Sequence, residues 1–373
     1  MKPPVLILCN HIDGLGGVER VAHGLAAGLA QRGYEVALRG IRPTSGPSAE
    51  MTLSGYSTGF LSDRPERPEG YKPHPAFIRR SMRREAVDNL RKTVADYRGG
   101  IVVCMQVYAM EHLTELGMDD LIAGDIRIIG QYHWSYEGAN STTDFNRLSR
   151  TYRRIDKFLL LTEADAEAFR RRNFNNTGSM PNPLWMRATG TVQPRQQRVV
   201  ALSRYDEVKQ LDHALRAWAQ VSAEFPDWRF ELYGDGPQRD ELQVLIEQLG
   251  IADSAALMGP TDDVAGVLLG SRLSVLSSLF EGLPMVLAES LACGVPAVAY
   301  NCAPGVAEIV THGVDGRLVH PNRISDFAAA LREVMGDEAL IDRMGAAGRR
   351  SMARYSLDRV MDRWEDLIAR TLR

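Results

Sequence analysis

Short apolar runs alternate with longer amphipathic segments along almost the whole chain. Short runs rich in Val, Ile and Leu indicate buried strands, and longer segments with apolar residues every three or four positions indicate helices. Alternation of the two favours parallel sheets whose strands are joined by crossover helices. The predicted strands cover residues 4–9, 34–39, 100–105, 126–132, 157–162, 198–203, 228–233, 255–258, 273–277, 296–300 and 317–319. The predicted helices cover residues 17–32, 76–97, 143–154, 163–172, 208–224, 237–249, 284–293, 325–336, 338–353 and 356–371.

The composition changes near the middle of the chain. Residues 173–198 contain three prolines together with Asn, Gly, Thr and Gln, which is typical of a linker. Beyond this stretch the alternation starts again, and a length of 373 residues suits two domains. We therefore predict two doubly wound, Rossmann-like α/β domains, 1–185 and 190–355, which face each other across a cleft. A last helix within 356–373 either packs back on the first domain or caps the second.

Bulk properties argue against several classes of protein. The formal net charge of −3 gives no indication of nucleic-acid binding. No apolar stretch reaches 18 residues, so no transmembrane helix is predicted and a cytoplasmic location is expected. Cys9, Cys104, Cys293 and Cys302 lack C-x-x-C spacing, so neither a zinc site nor disulfide bonds are expected.

Two segments of the first half are unusual. Residues 43–75 are rich in Pro and Gly and long for a connection, which predicts either a functional loop or disorder. Residues 76–92 combine apolar side chains such as Phe77 with several arginines. A basic amphipathic helix can lie on an anionic membrane, so peripheral contact with the inner membrane face is a hypothesis. A packed helix with a solvated basic face is the commoner alternative.

A glycine-rich turn at residues 11–20 follows the first predicted strand and opens a helix. Gly16 and Gly17 let the backbone approach a ligand closely, and the helix N-terminus favours an anion. The dinucleotide fingerprint is not met, because Arg20 stands where its third glycine belongs. Arg39, at the end of the second strand, keeps an NADP-dependent dehydrogenase open as an outside alternative. A tight turn without a ligand also remains open.

Two cations follow the first strand of the second half. Arg204 and Lys209 bracket a helix start at the carboxyl edge of a predicted parallel sheet. Such a pair suits a diphosphate, because Arg binds two oxygens at once and Lys supplies a point charge. Neutralising that charge would assist departure of a nucleoside diphosphate. The alternative is an ordinary exposed ion pair.

The most specific pattern lies at residues 277–290. Pro284 is predicted at the first helical position, so Gly282 and Leu283 offer backbone N–H groups and the positive end of the helix dipole to a phosphate. Glu281 lies just before this helix. Glu289 lies inside it among apolar residues, where a carboxylate is costly unless it is paired. Ribose hydroxyls would satisfy Glu289, and an arginine is the alternative partner.

These motifs together resemble those of the retaining family 4 glycosyltransferases, which have the two-domain GT-B fold. The match covers nearly the whole chain, and its elements occur in the family's order. They are Gly16-Gly17-Val18-Glu19-Arg20, Asn182-Pro183, Arg204 with Lys209, the E-x7-E pair Glu281 and Glu289 with Gly282-Leu283-Pro284, and Asp315-Gly316. Residues 301–308 depart from the sequence that is commonest in the family at this place. The departure puts the identity of the sugar and the acceptor in doubt, but not the type of reaction.

The resemblance implies a role for each matching residue. Glu281 would bind the donor sugar and Glu289 the ribose, while Arg204, Lys209 and the amides of Gly282 and Leu283 would hold the diphosphate. Gly16 and Gly17 would let the diphosphate and the acceptor approach, and His133, after a first-domain strand, would lie near the reacting sugar. Since a lone histidine is more often structural, that role is one of two open alternatives for His133. The residues implied near the nucleobase are Gly234, Gly259 and Pro260.

The predicted reaction moves a hexose or N-acetylhexosamine with retention, from a UDP-sugar first and GDP-mannose second. A cell-envelope polymer, a lipid-linked glycan or a small molecule would accept it. The chain contains no D-x-D motif, so neither a metal ion nor another cofactor is expected. A sugar-nucleotide epimerase of the same architecture and a non-catalytic nucleotide-binding module remain alternatives.

Overall fold

The computed structural model describes residues 2–14, 16–44, 54–65, 76–123, 125–186 and 195–373. The chain divides into two compact units. The first unit contains Met1–Pro183 and Leu357–Arg373, and the second contains Leu184–Ser356. Each unit is built around its own parallel sheet.

The first unit contains a seven-stranded sheet in the order β3-β2-β1-β4-β5-β6-β7, with all strand pairs parallel. Its strands are β1 (Val5–Cys9), β2 (Val36–Gly40), β3 (Ser57–Phe60), β4 (Ile101–Cys104), β5 (Arg127–Gln131), β6 (Lys157–Leu160) and β7 (Thr177–Ser179). Its helices are α1 (Gly17–Gln31), α2 (Ala76–Ala95), α3 (Val107–Thr114), α4 (Met118–Ala123), α5 (Tyr136–Asn140), α6 (Asp144–Thr151) and α7 (Glu163–Arg170).

The second unit contains a six-stranded sheet in the order β10-β9-β8-β11-β12-β13, again entirely parallel. Its strands are β8 (Arg198–Leu202), β9 (Arg229–Tyr233), β10 (Ala255–Gly259), β11 (Leu273–Leu276), β12 (Ala297–Tyr300) and β13 (Gly316–Val319). Its helices are α8 (Leu211–Ala219), α9 (Arg239–Gln248), α10 (Val264–Leu269), α11 (Met285–Ala292), α12 (Pro304–Ile309), α13 (Ile324–Met335) and α14 (Glu338–Ser351). The final helix, α15 (Leu357–Thr371), belongs to the first unit.

Both sheets reverse their winding direction beside their first strand. In the first unit β1 lies between β2 and β4, and in the second unit β8 lies between β9 and β11. The loops at the carboxyl ends of these central strands diverge and leave room for ligands. The prediction of a doubly wound α/β chain is confirmed, and the topology places the predicted phosphate-binding loops at these ligand-binding edges.

The sequence analysis missed two strands at sheet edges. β3 and β7 lie in the stretches interpreted as an irregular loop and as a linker, and neither carries an apolar run. Both are partly exposed, because an edge strand packs against fewer neighbours than a central strand. Much of the loop predicted at 43–75 lies outside the described residues.

Helix α15 packs in the core of the first unit. Trp364, Met361 and Ile368 are buried in the same apolar cluster as β1 and α1. A Cβ on Gly28 of α1 would lie 2.4 Å from Met361 Sδ, so glycine is needed where the two helices meet. In the described part of the chain, no helix has the length and hydropathy needed to cross a membrane.

Candidate functional site

The second unit brings a lysine and a glutamate together at the carboxyl edge of its sheet. Lys209 Nζ lies 2.8 Å from Glu281 Oε1, and Ser278 Oγ donates a hydrogen bond of 2.6 Å to the same oxygen. The Lys209 and Glu281 side chains are 20% and 11% exposed. The described contacts of the Glu281 carboxylate all use Oε1, so Oε2 faces no competing donor of the described chain.

Backbone contacts hold these two residues in register. Lys209 ends a short 3-10 helix after β8, and its carbonyl accepts a hydrogen bond from Ser277 Oγ at 2.9 Å. Leu279 N donates to Val208 O at 2.7 Å. The loops after β8 and β11 are therefore joined beside the sheet edge. Gln210, immediately after Lys209, has φ of 42° and caps α8, a left-handed conformation that costs about 1 kcal/mol or more for a non-glycine residue.

The N-terminus of α11 lies next to this pair. Helix α11 begins at Met285 with Pro284 as its N-cap, one residue later than the sequence predicted. The side chain of Pro284 forms no hydrogen bond with the first turn of α11. A Cβ on Gly305 would lie 1.9 Å from Gly282 O, so glycine at 305 lets α12 contact the turn before α11. This turn therefore presents backbone N–H groups and the positive end of a helix dipole.

Arg204 and Lys209 do not form a buried cationic pair in this structure. Arg204 is paired with its neighbour Asp206 at 2.9 Å, and 79% of its side chain is exposed. Of these two cations, Lys209 contacts Glu281 and Arg204 does not in the described part of the chain. Glu289 lies half-buried on α11. The structure thus places Lys209, Glu281 and the turn before α11 on adjacent loops, places Glu289 on α11 itself, and leaves the Arg204 side chain in solvent.

Gly234, one of the two glycines assigned to the nucleobase, has a packing role. A Cβ on Gly234 would lie 1.8 Å from Ser203 O, and Gly234 N donates to Gly259 O at 2.9 Å. These contacts join the loops after β8 and β9 to the end of β10, because Gly234 has no side chain to separate the backbones. Pro260, next to Gly259, is exposed. A nucleobase role for any of these residues stays a prediction.

The glycine-rich turn of the first unit is shaped by a glutamate. Gly16 is the N-cap of α1, and Glu19, three residues further on, is 9% exposed. A Cβ on Gly16 would lie 2.1 Å from Glu19 Oε2, whereas a Cβ built on Gly17 would meet no described atom within 4 Å beyond its chain neighbours and its own helix backbone. Packing therefore explains Gly16 but not Gly17, which leaves Gly17 open to a ligand role.

His133 follows β5 and lines a cavity of about 220 Å³ in the first unit. Neither ring nitrogen has a hydrogen-bond partner in the described part of the chain, although both nitrogens are buried. Burial lowers the pKa of His133 to about 3, so the ring is neutral near pH 7. A neutral imidazole can donate one hydrogen bond and accept another. The wall also includes Val18 of α1, so the cavity adjoins the glycine-rich turn.

A polar network lies on the same cavity wall. Arg147 donates to Asp144 Oδ1 at 3.0 Å and binds both oxygens of Glu111 at 2.8 and 2.9 Å. Tyr132 OH donates to Asp144 Oδ2 at 3.1 Å. Hydrogen bonds to Glu111 raise the pKa of Arg147 above its ordinary value, so its charge persists at every accessible pH. The sequence analysis missed this network, because Glu111 on α3 and Tyr132 after β5 meet Asp144 and Arg147 of α6 only in the folded unit.

Potential metal ligands are dispersed in the described ranges. Within these ranges, no group of three His, Cys, Asp or Glu side chains could hold a metal ion. The four cysteines are free thiols, and burial raises the pKa of Cys293 to about 11. A metal-independent reaction stays a prediction.

Comparison with known families identifies the chain. The family model described as Glycosyltransferase Family 4 matches residues 15–182, and the model described as Glycosyl transferases group 1 matches residues 187–351. The chain belongs to the family 4 glycosyltransferases. The resemblance predicted from the motifs is confirmed, and each unit of this glycosyltransferase corresponds to one of the two family models.

Curated relatives of the glycosyltransferase come from several bacteria. An exopolysaccharide phosphotransferase of Streptomyces coelicolor is 42% identical over 43% of this chain, and the match spans only 17% of that protein. An uncharacterized glycosyltransferase of Haemophilus influenzae is 26% identical over 96% of this chain and 98% of its own length. The amylovoran biosynthesis glycosyltransferase AmsD of Erwinia amylovora is 26% identical over 98% of this chain and 99% of its own length.

Solved structures share the fold of this glycosyltransferase. HepE of Anabaena, in complex with UDP and glucose, gives a TM-score of 0.79 at 17% identity, covering 98% of this chain and 99% of HepE. Sucrose-phosphate synthase of Thermosynechococcus elongatus gives a TM-score of 0.79 at 18% identity, covering 99% of each chain. These likenesses confirm that the chain has the GT-B fold.

Proposed function

We propose that this glycosyltransferase moves a hexose or N-acetylhexosamine from a UDP-sugar to an acceptor hydroxyl, with retention of anomeric configuration. The observation that carries the proposal is the contact of Lys209 with Glu281 beside the free N-terminus of α11. A lysine, a carboxylate and a helix N-terminus at one sheet edge can bind a diphosphate and a sugar side by side. GDP-mannose is the second donor to test.

The diphosphate would be held by Lys209 and the backbone N–H groups of Gly282 and Leu283. An ammonium has three donors, and Glu281 takes one of them, which leaves two for phosphate oxygens. Arg204 would add a bidentate contact if its exposed side chain turns from Asp206 toward the phosphates. Together these charges would stabilise the leaving diphosphate without a metal ion.

Glu281 would position the donor sugar rather than attack it. Its Oε1 is occupied by Lys209 and Ser278, so Oε2 would accept hydrogen bonds from sugar hydroxyls. The acceptor hydroxyl would then enter on the face that the diphosphate leaves, and its proton would pass to the departing phosphate oxygen. This route needs orientation and electrostatic stabilisation but no carboxylate nucleophile.

The roles of Glu289 and His133 complete the proposal. Glu289 would bind the ribose hydroxyls from its half-buried position on α11. His133 would meet the reacting sugar through ring nitrogens that no described residue engages. Because its pKa is about 3, it would act as a neutral hydrogen-bonding group near pH 7 and not as a cation.

Cell-envelope glycans or lipid-linked glycans are the proposed acceptors. The relatives named for exopolysaccharide and amylovoran biosynthesis support this choice. Peripheral membrane contact belongs to the same proposal. Phe77 is 73% exposed on α2, and Arg79, Arg80 and Arg84 are exposed on the same helix. Co-sedimentation with anionic vesicles at low salt tests the membrane contact, and absence of binding under these conditions would contradict it.

The donor is tested by binding and by turnover. A thermal-shift panel of UDP, GDP, ADP and TDP should give the largest increase in melting temperature with UDP, because a ligand that binds only the folded state stabilises it. Nucleotide release from matching sugar nucleotides should follow the same order, in the presence of EDTA. Strict dependence on added Mg²⁺ would contradict the metal-free mechanism. Interconversion of the sugar nucleotide without transfer would favour the epimerase.

A further inference from the structure

The side chains that line the cavity beside His133 bear on the chemistry of the acceptor. Its wall combines aromatic side chains, among them Tyr108 and Trp134, with the Asp144 and Arg147 pair. Trp134 is 38% exposed, which makes it one of the few large apolar side chains left in solvent among the described residues. A Cβ on Gly138 would lie 3.2 Å from Trp134 Cε3, so the indole rests against the start of α5. Its exposed position is therefore fixed by packing.

The charges on this wall are already compensated. Arg147 is bound by two carboxylates, those of Asp144 and Glu111, at distances of 3.0 and 2.8 Å. An anion entering the cavity would have to compete with both carboxylates for one guanidinium. Arg42, which is 3% exposed, lies behind the ring of Tyr108, with its Cζ 5.6 Å from the ring centroid, and does not line the cavity.

The remaining features of the cavity suit an uncharged polyhydroxyl ligand. Each oxygen of Asp144 makes one described hydrogen bond and has a second lone pair for a ligand hydroxyl. The aromatic rings offer apolar surface for the C–H face of a pyranose. A volume of about 220 Å³ lies below the roughly 300–1,000 Å³ of sites for drug-sized ligands, which suits a single sugar ring.

We infer that this cavity binds the terminal, uncharged hexose unit of a glycan acceptor, with Trp134 and Tyr108 against the ring and Asp144 accepting from its hydroxyls. The inference rests on the proposed function, because it assigns the acceptor side of that reaction. It excludes acceptors whose reactive unit carries a phosphate or a carboxylate. Phosphate groups elsewhere on a longer acceptor remain compatible with it.

Saturation-transfer NMR on the full chain tests the binding directly and needs no donor. Ring protons of neutral methyl hexosides should receive saturation from the wild-type protein, whereas glycerol phosphate and malate should not. The signal should vanish in Trp134→Ala and persist in part in Trp134→Phe. Asp144→Asn should weaken it. Asp119→Asn is the matched control, because Asp119 forms an exposed pair with Arg154 and does not line the cavity, so its signal should equal wild type.

Transfer kinetics provide a second readout. Trp134→Ala should raise the acceptor KM tenfold or more and leave the donor KM unchanged. Saturation from the anions alone, or glycoside signals that survive in both Trp134→Ala and Asp144→Ala, would overturn the inference. Failure to release UDP from any donor would instead refute the proposed function, while the NMR signals would still decide what the cavity binds.

Discussion

Lys209 Nζ lies 2.8 Å from Glu281 Oε1, although 72 positions separate the two residues in the chain. The contact links the loop after β8 to the loop after β11, the two strands that flank the point where the second sheet changes winding direction. It therefore couples the residue proposed to hold the diphosphate to the residue proposed to orient the sugar. Changes at either position should affect donor use in distinguishable ways.

Replacing Glu281 by Gln should lower kcat by about 100-fold, the scale of losing one well-placed electrostatic contact in a transition state. The amide keeps the size of the side chain and an acceptor for Ser278, so UDP affinity should change little. Turnover with saturating donor and calorimetric titration of UDP measure the two effects. Full activity in Glu281→Gln would refute its positioning role.

Replacing Lys209 by Ala should weaken UDP binding and destabilise the second unit. The Glu281 carboxylate, 11% exposed, would lose its cation and keep only the hydrogen bond from Ser278. The loss should be about 2 kcal/mol of unfolding free energy. The double variant Lys209→Ala/Glu281→Gln should recover part of that stability but not the UDP affinity. A loss of unfolding free energy in the double variant that equals the sum of the losses in Lys209→Ala and Glu281→Gln, measured in urea, would show that the pair is not coupled.

The adjacent glycines of the first turn should respond differently to alanine. Gly16→Ala places a Cβ 2.1 Å from Glu19 Oε2, so it should lower the melting temperature and displace the glutamate. Gly17→Ala meets no atom within 4 Å and should leave the melting temperature equal or higher, since alanine favours the helix. Activity lost in Gly17→Ala at unchanged stability would report ligand approach. Unchanged kinetics in Gly17→Ala would refute a ligand role for Gly17.

Arg204→Ala should weaken UDP binding without affecting stability. Its side chain is 79% exposed and, among the described residues, pairs only with Asp206; exposed pairs contribute about 0–1 kcal/mol. UDP affinity should fall about tenfold, and the salt dependence of binding should decrease because one cation is lost. Arg204→Lys should recover only part of the affinity, since it loses the bidentate geometry. Calorimetric titration at two salt concentrations makes the comparison.

The free energy of unfolding should decrease as the pH falls, because of His112. The residue is fully buried in the first unit, and burial lowers its pKa from 6.5 to about 4. The unfolded chain binds a proton at this residue before the folded chain does, so stability is complete above pH 6.5 and decreases as the pH falls toward 4. The loss at pH 5 should be about 2 kcal/mol. Urea unfolding across this range measures it.

A matched pair of variants isolates the contribution of His112 to the pH dependence of stability. His112→Gln should flatten the dependence between pH 6.5 and 4, because glutamine does not titrate. His320→Gln removes an exposed histidine of the second unit and should leave the slope unchanged. The same slope in all three proteins would assign the acid sensitivity to other groups.

Much of the architecture could be predicted because it depends on local patterns. The central strands are apolar runs, and the helices between them have a regular periodicity, so the doubly wound class followed from the sequence. Edge strands β3 and β7 were missed, since strands with few packing neighbours need no apolar run. The sequence likewise did not distinguish whether the last helix packs on the first domain or caps the second, because an amphipathic face does not specify its partner.

Sequence by itself placed Arg204, Lys209, Glu281 and Glu289 at the ends of strands or on the helix that follows, because parallel connections bring such positions to one sheet edge. Tertiary structure decided which of them touch. Lys209 is held against Glu281 by bonds between the two loops, whereas the Arg204 side chain extends into solvent beside Asp206. Asp144 and Arg147 are three positions apart on α6, but no spacing predicts that Glu111 joins them, because it meets Arg147 only when α3 packs against α6. Spacing determines the edge at which a residue lies, and packing determines its partner.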